Sequence, residues 1–258
     1  MQRKPLIVAN WKMYLDAKAS IAAAQSLVKI LRDEPVDVII SPSYPLLSAI
    51  KEICNGSTVE IAAQDIHFME SGAYTGDVSV SEVKDYVRHC IVGHSERRKY
   101  HGDTDEIVAL KTKLALKNGI HPIICVGESF EEHEAEKTIE KIREQVRRVL
   151  ADISLLDFPR ITFAYEPVWA ISAGPGLEAP QPEAQEVAEI INLIRKIISE
   201  AGGNKYMDKM RVLYGGSVTA KTVKKFVSEP GVDGALVGGA STKPAELVAI
   251  IREVASLA

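Results

Sequence analysis

Three side chains of different chemistry stand directly after short apolar runs of this sequence. Lys12 is close behind Leu6–Ala9, His94 behind His89–Val92, and Glu166 behind Ile161–Tyr165. A carboxylate can serve as a general base, and an imidazole can polarise a carbonyl. An ammonium neutralises negative charge as it develops. Polar neighbours accompany them: Asn10 before Lys12, Ser95 and Glu96 after His94. Two glycine pairs follow two further runs, Gly215-Gly216 with Ser217 and Gly238-Gly239 with Ala240 and Ser241. Glycines let backbone N–H groups come close to a phosphate. Each element has a plainer use on its own: a structural histidine, a solvated glutamate, a surface lysine, a tight turn. Together they suit proton transfer beside a carbonyl on a phosphorylated molecule.

For these groups to meet, the runs that precede them must end side by side. The strand-like runs are Leu6–Ala9, Val36–Ile40, Val59–Ala63, His89–Val92, Pro122–Val126, Ile161–Tyr165, Arg211–Tyr214 and Ala235–Val237. Most are continuously apolar rather than alternating, as in strands buried on both faces of a parallel sheet. Between them apolar residues recur at helical steps: Ile21, Ala24, Val28 and Leu31; Ile107, Leu110 and Leu114; Ile139, Ile142, Val146 and Val149; Val187, Ile190, Ile194 and Ile197. Asp103 or Thr104 can cap the helix after His101, with Gly119 past its last turn. Pro244 suits the first turn of the last helix. Eight strand-like runs alternating with helical stretches give an α/β fold, a (βα)8 barrel. That fold gathers functional groups at the C-terminal ends of its strands, with a phosphate site in the last two βα loops. An open doubly wound sheet shares the same alternation.

The composition narrows the function. The chain has 258 residues, 46% of them hydrophobic, and we expect one domain over residues 1–258. The net charge is −4 and no dense basic block occurs, which argues against nucleic acid or an anionic membrane as partner. Three scattered cysteines, Cys54, Cys90 and Cys125, form no disulfide framework and suit a reducing compartment. The start of the chain lacks a signal-peptide core and no run reaches membrane-span length, so a cytoplasmic location is expected. No metal or other cofactor is expected: the histidines are dispersed, and His133-Glu134 does not continue to a zinc motif. Gly174-Pro175-Gly176-Leu177-Glu178-Ala179 fits a dinucleotide fingerprint as text but does not follow directly on a strand.

Longer segments carry a resemblance. Asn10-Trp11-Lys12-Met13, Gly93-His94-Ser95-Glu96-Arg97-Arg98, Ala164-Tyr165-Glu166-Pro167-Val168-Trp169-Ala170-Ile171, Tyr214-Gly215-Gly216-Ser217-Val218 and Gly238-Gly239-Ala240-Ser241 resemble, in order, the signature segments of the triosephosphate isomerase family. Cys125-Val126-Gly127-Glu128 is similar to that family's strand-5 segment, and Gly72-Ala73-Tyr74-Thr75-Gly76 to its interface loop. The resemblance implies a TIM barrel and an aldose–ketose isomerase of glycolysis and gluconeogenesis. Glu166 would be the base that moves a proton between C1 and C2, and His94 a neutral electrophile. Lys12 would bind the phosphate side and stabilise the enediolate beside Asn10. Glu96 would support Lys12 and His94, and Ser95 would hold Glu166 in the empty site. Backbone N–H groups of Ser172, Gly216, Ser217, Gly238 and Gly239 would take the phosphate. It further implies a homodimer through loop 64–77, with Thr75 reaching Lys12 of a second subunit. The chain departs from the family at Asp65, where Asn is more usual. It departs again at Ile171-Ser172-Ala173-Gly174-Pro175-Gly176, a longer and altered lid.

Rival readings remain at this stage. A Schiff-base aldolase needs a lysine inside the barrel, whereas strands 6 and 7 end in front of Glu166 and at Tyr214. An isomerase of a four-carbon sugar phosphate would use the same groups. A non-catalytic phosphate-binding barrel would not need Glu166 and His94 together.

Overall fold

Strands that are apolar on both faces must be covered on both. The computed structural model, which describes residues 3–32, 34–171, 180–202 and 204–257, meets that demand by closing the sheet. The strands are β1 Leu6–Asn10, β2 Asp37–Ser41, β3 Val59–Ala63, β4 His89–Val92, β5 His121–Val126, β6 Thr162–Tyr165, β7 Arg211–Tyr214 and β8 Gly234–Val237. Each pairs in parallel with the next, and β8 pairs with β1 in the register Leu6↔Gly234 to Ala9↔Val237. That last pairing replaces the open sheet with a barrel.

Alternate residues of each strand then face opposite sides. Leu6, Val8, Ile39, Ala62, Ile91, Ile123, Cys125, Ala164, Leu213 and Leu236 fill the inside. Ile7, Ala9, Ile40, Val92, Ile124, Phe163 and Val212 belong to the outer core, which includes buried residues of the surrounding helices. Gly234 makes closure possible. Its φ is +144°, and a Cβ there would stand 1.9 Å from the carbonyl oxygen of Leu6.

The helices follow the expected order, with differences in which face they bury. Thr104 caps the helix Asp105–Lys117, its side chain accepting from the Ile107 N–H, and Gly119 follows at φ +82°. Pro244 opens Pro244–Ala255. Along Asp105–Lys117 the apolar spacing points to Ile107, Leu110 and Leu114. Instead Leu110 is 47% exposed and Lys111 is buried at 1%. The reason is electrostatic. The Lys111 ammonium lies 2.8 Å from Asp65 and 2.7 Å from Asp103, and Arg97 pairs with Asp65 at 2.9 Å. The carboxylate at position 65 therefore meets two cations. It joins the end of β3 to the helices Ser95–His101 and Asp105–Lys117, and so fixes the element that carries His94, Ser95 and Glu96. Among the described residues no helix is long and apolar enough to cross a membrane.

The buried network yields a stability test. Burial pushes the Asp65 carboxyl up despite its cations. Without Lys111, Asp65 and Asp103 would be buried with too little positive charge. We expect Lys111→Met to cost about 3–5 kcal/mol at neutral pH, the scale for breaking a buried pair. A carboxyl whose pKa is raised by folding opposes folding as pH rises through that value, so the deficit should shrink in acid. Denaturant midpoints of both proteins between neutral and acid pH measure this.

Candidate active site

The end of β6 places Glu166 at the mouth of the barrel. Its N–H donates to the Val126 carbonyl at 2.7 Å, and the Gly215 N–H donates to the preceding carbonyl, Tyr165, at 2.8 Å. Both flanking strands give way to glycine at this level. A Cβ on Gly127 would stand 1.8 Å from the Glu166 carbonyl oxygen, and one on Gly215 2.7 Å from Glu166 Cγ. The carboxylate is buried. One oxygen, Oε1, lies 3.3 Å from His94 Nε2; the other, Oε2, accepts from the Ser95 N–H at 3.3 Å.

His94 is the N-cap of Ser95–His101, and its Nδ1 accepts from the Glu96 N–H at 3.2 Å. An imidazole that accepts at Nδ1 and stays neutral carries its proton on Nε2. That proton points to the Glu166 carboxylate.

Lys12 lies in the left-handed region at φ +49°, a cost of roughly 1–2 kcal/mol for a residue with a Cβ. Its neighbours hold it there. The Lys12 N–H donates to Asn10 Oδ1 at 3.0 Å, and its carbonyl accepts from Gln64 Nε2 at 2.8 Å. The ammonium reaches Glu96 Oε1 at 2.8 Å. On its other side, a Cβ built on Gly238 would lie 3.4 Å from Lys12 Cε, an ordinary contact distance, so the lysine runs directly beside the β8 loop. The contacts thus run unbroken from Gly238 through Lys12, Glu96, His94 and Glu166 to Gly215.

The short helix Gly239–Thr242 opens at the second glycine of its pair, and space beyond Gly239 is open. N–H groups of a first turn lack intrahelical acceptors, which suits an anion next to Lys12. On the β7 loop, the Ser217 N–H donates to the Ala170 carbonyl at 3.3 Å. Ser217 would have to exchange that carbonyl for a phosphate oxygen. Ser172 lies outside the described residues. Among the described residues no group of three or more His, Cys, Asp or Glu side chains is arranged to hold a metal.

Two supporting side chains emerge only in three dimensions. The Cys125 thiol, fully buried on β5, is pushed up by burial, then by the Glu166 charge and the hydrogen bond the two share. Glu128 accepts from Tyr165 Oη at 3.1 Å and from Trp169 Nε1 at 2.8 Å, on either side of Glu166 in sequence. Reading strand ends points to Gly127 and Glu128 when it is applied to β5, but nothing in the residue types assigns them to Glu166.

Comparison with known proteins agrees with this geometry. Residues 5–254 match the family model described as triosephosphate isomerase. The triosephosphate isomerase of Carboxydothermus hydrogenoformans is 42% identical over 97% of this chain and 98% of its own. That of Corynebacterium glutamicum is 44% identical over 100% of both chains, and that of Corynebacterium efficiens 46% identical over 93% and 92%. The chain belongs to the triosephosphate isomerase family. It is an intramolecular aldose–ketose isomerase, and the aldolase, the four-carbon isomerase and the non-catalytic barrel are not favoured. Family membership also accounts for the order of the signature segments, which the barrel brings to one mouth.

The imidazole supplies a direct check on the site. In ¹⁵N NMR of the labelled, ligand-free protein, His94 should show a bare Nδ1 and a protonated Nε2. A proton on Nδ1 would break the hydrogen bond that the Glu96 N–H donates there, because a backbone N–H cannot accept.

Proposed function

We propose that the interconversion of dihydroxyacetone phosphate and D-glyceraldehyde 3-phosphate runs through Glu166 as the single base. Its carboxylate takes a proton from C1, leaving an enediolate, and returns the proton to C2. In the empty site this carboxylate occupies two donors, the His94 Nε2–H and the Ser95 N–H. Substrate would draw it away from His94. The freed Nε2–H then donates to the oxygens on which charge develops, and a preorganised donor in a buried site is effective there. Lys12 adds a positive charge next to the loop of Gly238 and Gly239, where the phosphate would sit. Glu96 holds that lysine in place. Gly216 and Ser217, directly beyond Gly215, supply further N–H groups to the phosphate, and Ser172 the lid contact. The observation that carries this reading is the Glu166–His94 contact, with the imidazole in the tautomer that can donate.

The reading includes a homodimer in the cytoplasm. Met13, directly after Lys12, is 94% exposed, and Tyr14, Met69 and Tyr74 are each more than 40% exposed. Exposed apolar groups directly after Lys12 and on loop 64–77 suit an interface there. The loop carrying Met69 and Tyr74 is already shaped: the His67 N–H donates to the Val78 carbonyl at 2.8 Å, and the His67 ring packs 4.1 Å from Tyr74 and 4.3 Å from Phe68. Free, buried Cys54, Cys90 and Cys125 suit a reducing compartment.

Three experiments test these statements. Glu166→Gln should lower kcat by a factor of at least ~10² while KM changes little, the scale for loss of a general base; near-normal turnover removes Glu166 from the mechanism. Sedimentation of the active protein should give twice the 28.2 kDa of one chain. Changing Met13 and Tyr74 together to arginine should give monomers with reduced kcat. A monomeric mass for the unaltered active protein would defeat the dimer.

A further inference from the structure

Glu128 is fully buried, and its bonds fall on both sides of Glu166. Oε1 accepts from Tyr165 and from Trp169, while its backbone carbonyl accepts from the Val168 N–H at 3.1 Å. Oε2 is buried with no hydrogen-bond partner. A proton on that oxygen would have no acceptor, and a neutral carboxyl accepts less strongly from Tyr165 and Trp169. The grip on the segment that carries Glu166 therefore depends on Glu128 staying ionised. Burial works against that and pushes the Glu128 carboxyl up.

His133, on the short helix Phe130–Glu134, faces this carboxylate. Its ring stacks on the Trp169 indole with centroids 4.4 Å apart and planes 26° apart, and its Nδ1 lies 4.0 Å from Glu128 Oε1. The side chain is 39% exposed and can exchange protons with water. Other charged groups nearby are engaged or more distant. Glu132, on the same helix, turns back to the Ser129 N–H at 2.8 Å and lies 4.0 Å from Lys141 of Thr138–Leu150. Glu131 is likewise held at the helix start, and its carboxyl is lowered there. Glu134 is exposed on the same helix. From Ala184–Gly202, Glu186 acts on Tyr165.

We propose that His133 is a positioning residue whose charged form keeps Glu128 ionised beneath Trp169, and so holds the segment bearing Glu166 in place at mildly acid pH. A cation over an indole face is attracted to it, and the same cation opposes protonation of the neighbouring carboxylate. The inference rests on the reading of Glu166 as base, so one of its tests must not depend on turnover.

His133→Phe keeps a ring against Trp169 and removes the charge. His133→Arg keeps a charge at every working pH. For both variants and the unaltered protein, kcat and KM are measured against pH, and tryptophan emission is titrated over the same range. The acid fall of kcat should move to higher pH in His133→Phe, leaving kcat about threefold to tenfold lower on the acid side with KM unchanged, as for a shift of half to one pH unit. The emission midpoint should move with it. In His133→Arg both should stay at the values of the unaltered protein or move to lower pH. Coincident profiles for His133→Phe and the unaltered protein would overturn the proposal. So would a His133→Arg profile that follows His133→Phe, because packing rather than charge would then be responsible. The emission titration is repeated in Glu166→Gln. A midpoint that responds to residue 133 there supports the clamp even if Glu166 proves not to be the base.

Discussion

Strand β6 can deliver a carboxylate to the mouth of the barrel only because both strands beside it give way to glycine. The last paired row across β5, β6 and β7 is Val126, Tyr165 and Tyr214. The next row is Gly127, Glu166 and Gly215, and there a Cβ on either glycine would collide with the glutamate. This close approach fixes the backbone of Glu166 between two hydrogen-bonded neighbours while leaving its side chain room. His94 and Ser95 are then within reach from β4, Lys12 and Gly238 complete the mouth from β1 and β8, and Glu128 secures both flanks from β5. The site is less a set of residues than a consequence of how closely three strands approach one another.

The strands were legible because most are apolar on both faces, and such a run has few other uses. Val59–Ala63, His89–Val92 and Arg211–Tyr214 have the expected limits, and the other five differ by a residue at one end or both. The faces of the helices were less legible. Apolar spacing assumes that charge points to water, and Lys111 breaks the assumption because Asp65 and Asp103 await it inside. Ile139, at 56% exposed, shows the same weakness at a helix end, where an isoleucine has no layer to pack against.

At the site, Lys12, His94 and Glu166 could be singled out because their chemistry is rare directly after apolar runs. Asn10, Ser95 and Glu96, next to them in sequence, were legible as supports; others were not. Cys125 reads as one more core residue, Gln64 as a loop amide and Glu128 as a loop charge. Only the fold shows that each is aimed at a neighbour 40 or 50 residues away in sequence or across the glycine gap. The direction of the Ser217 N–H toward Ala170 is also a matter of backbone conformation, to which residue type gives no guide.

The left-handed backbone at Lys12 bears on how such a chain can change. Glycine would adopt φ +49° without the steric penalty, so selection for folding alone has a ready improvement at this position, and it deletes the ammonium. Strain of this sort persists where the surrounding contacts impose it, here through Asn10, Gln64 and Glu96. On the role proposed for Lys12, a library scored for thermal tolerance would enrich its loss, and one scored for growth on the reaction would purge it. Stability and activity are thus opposed at a single torsion angle.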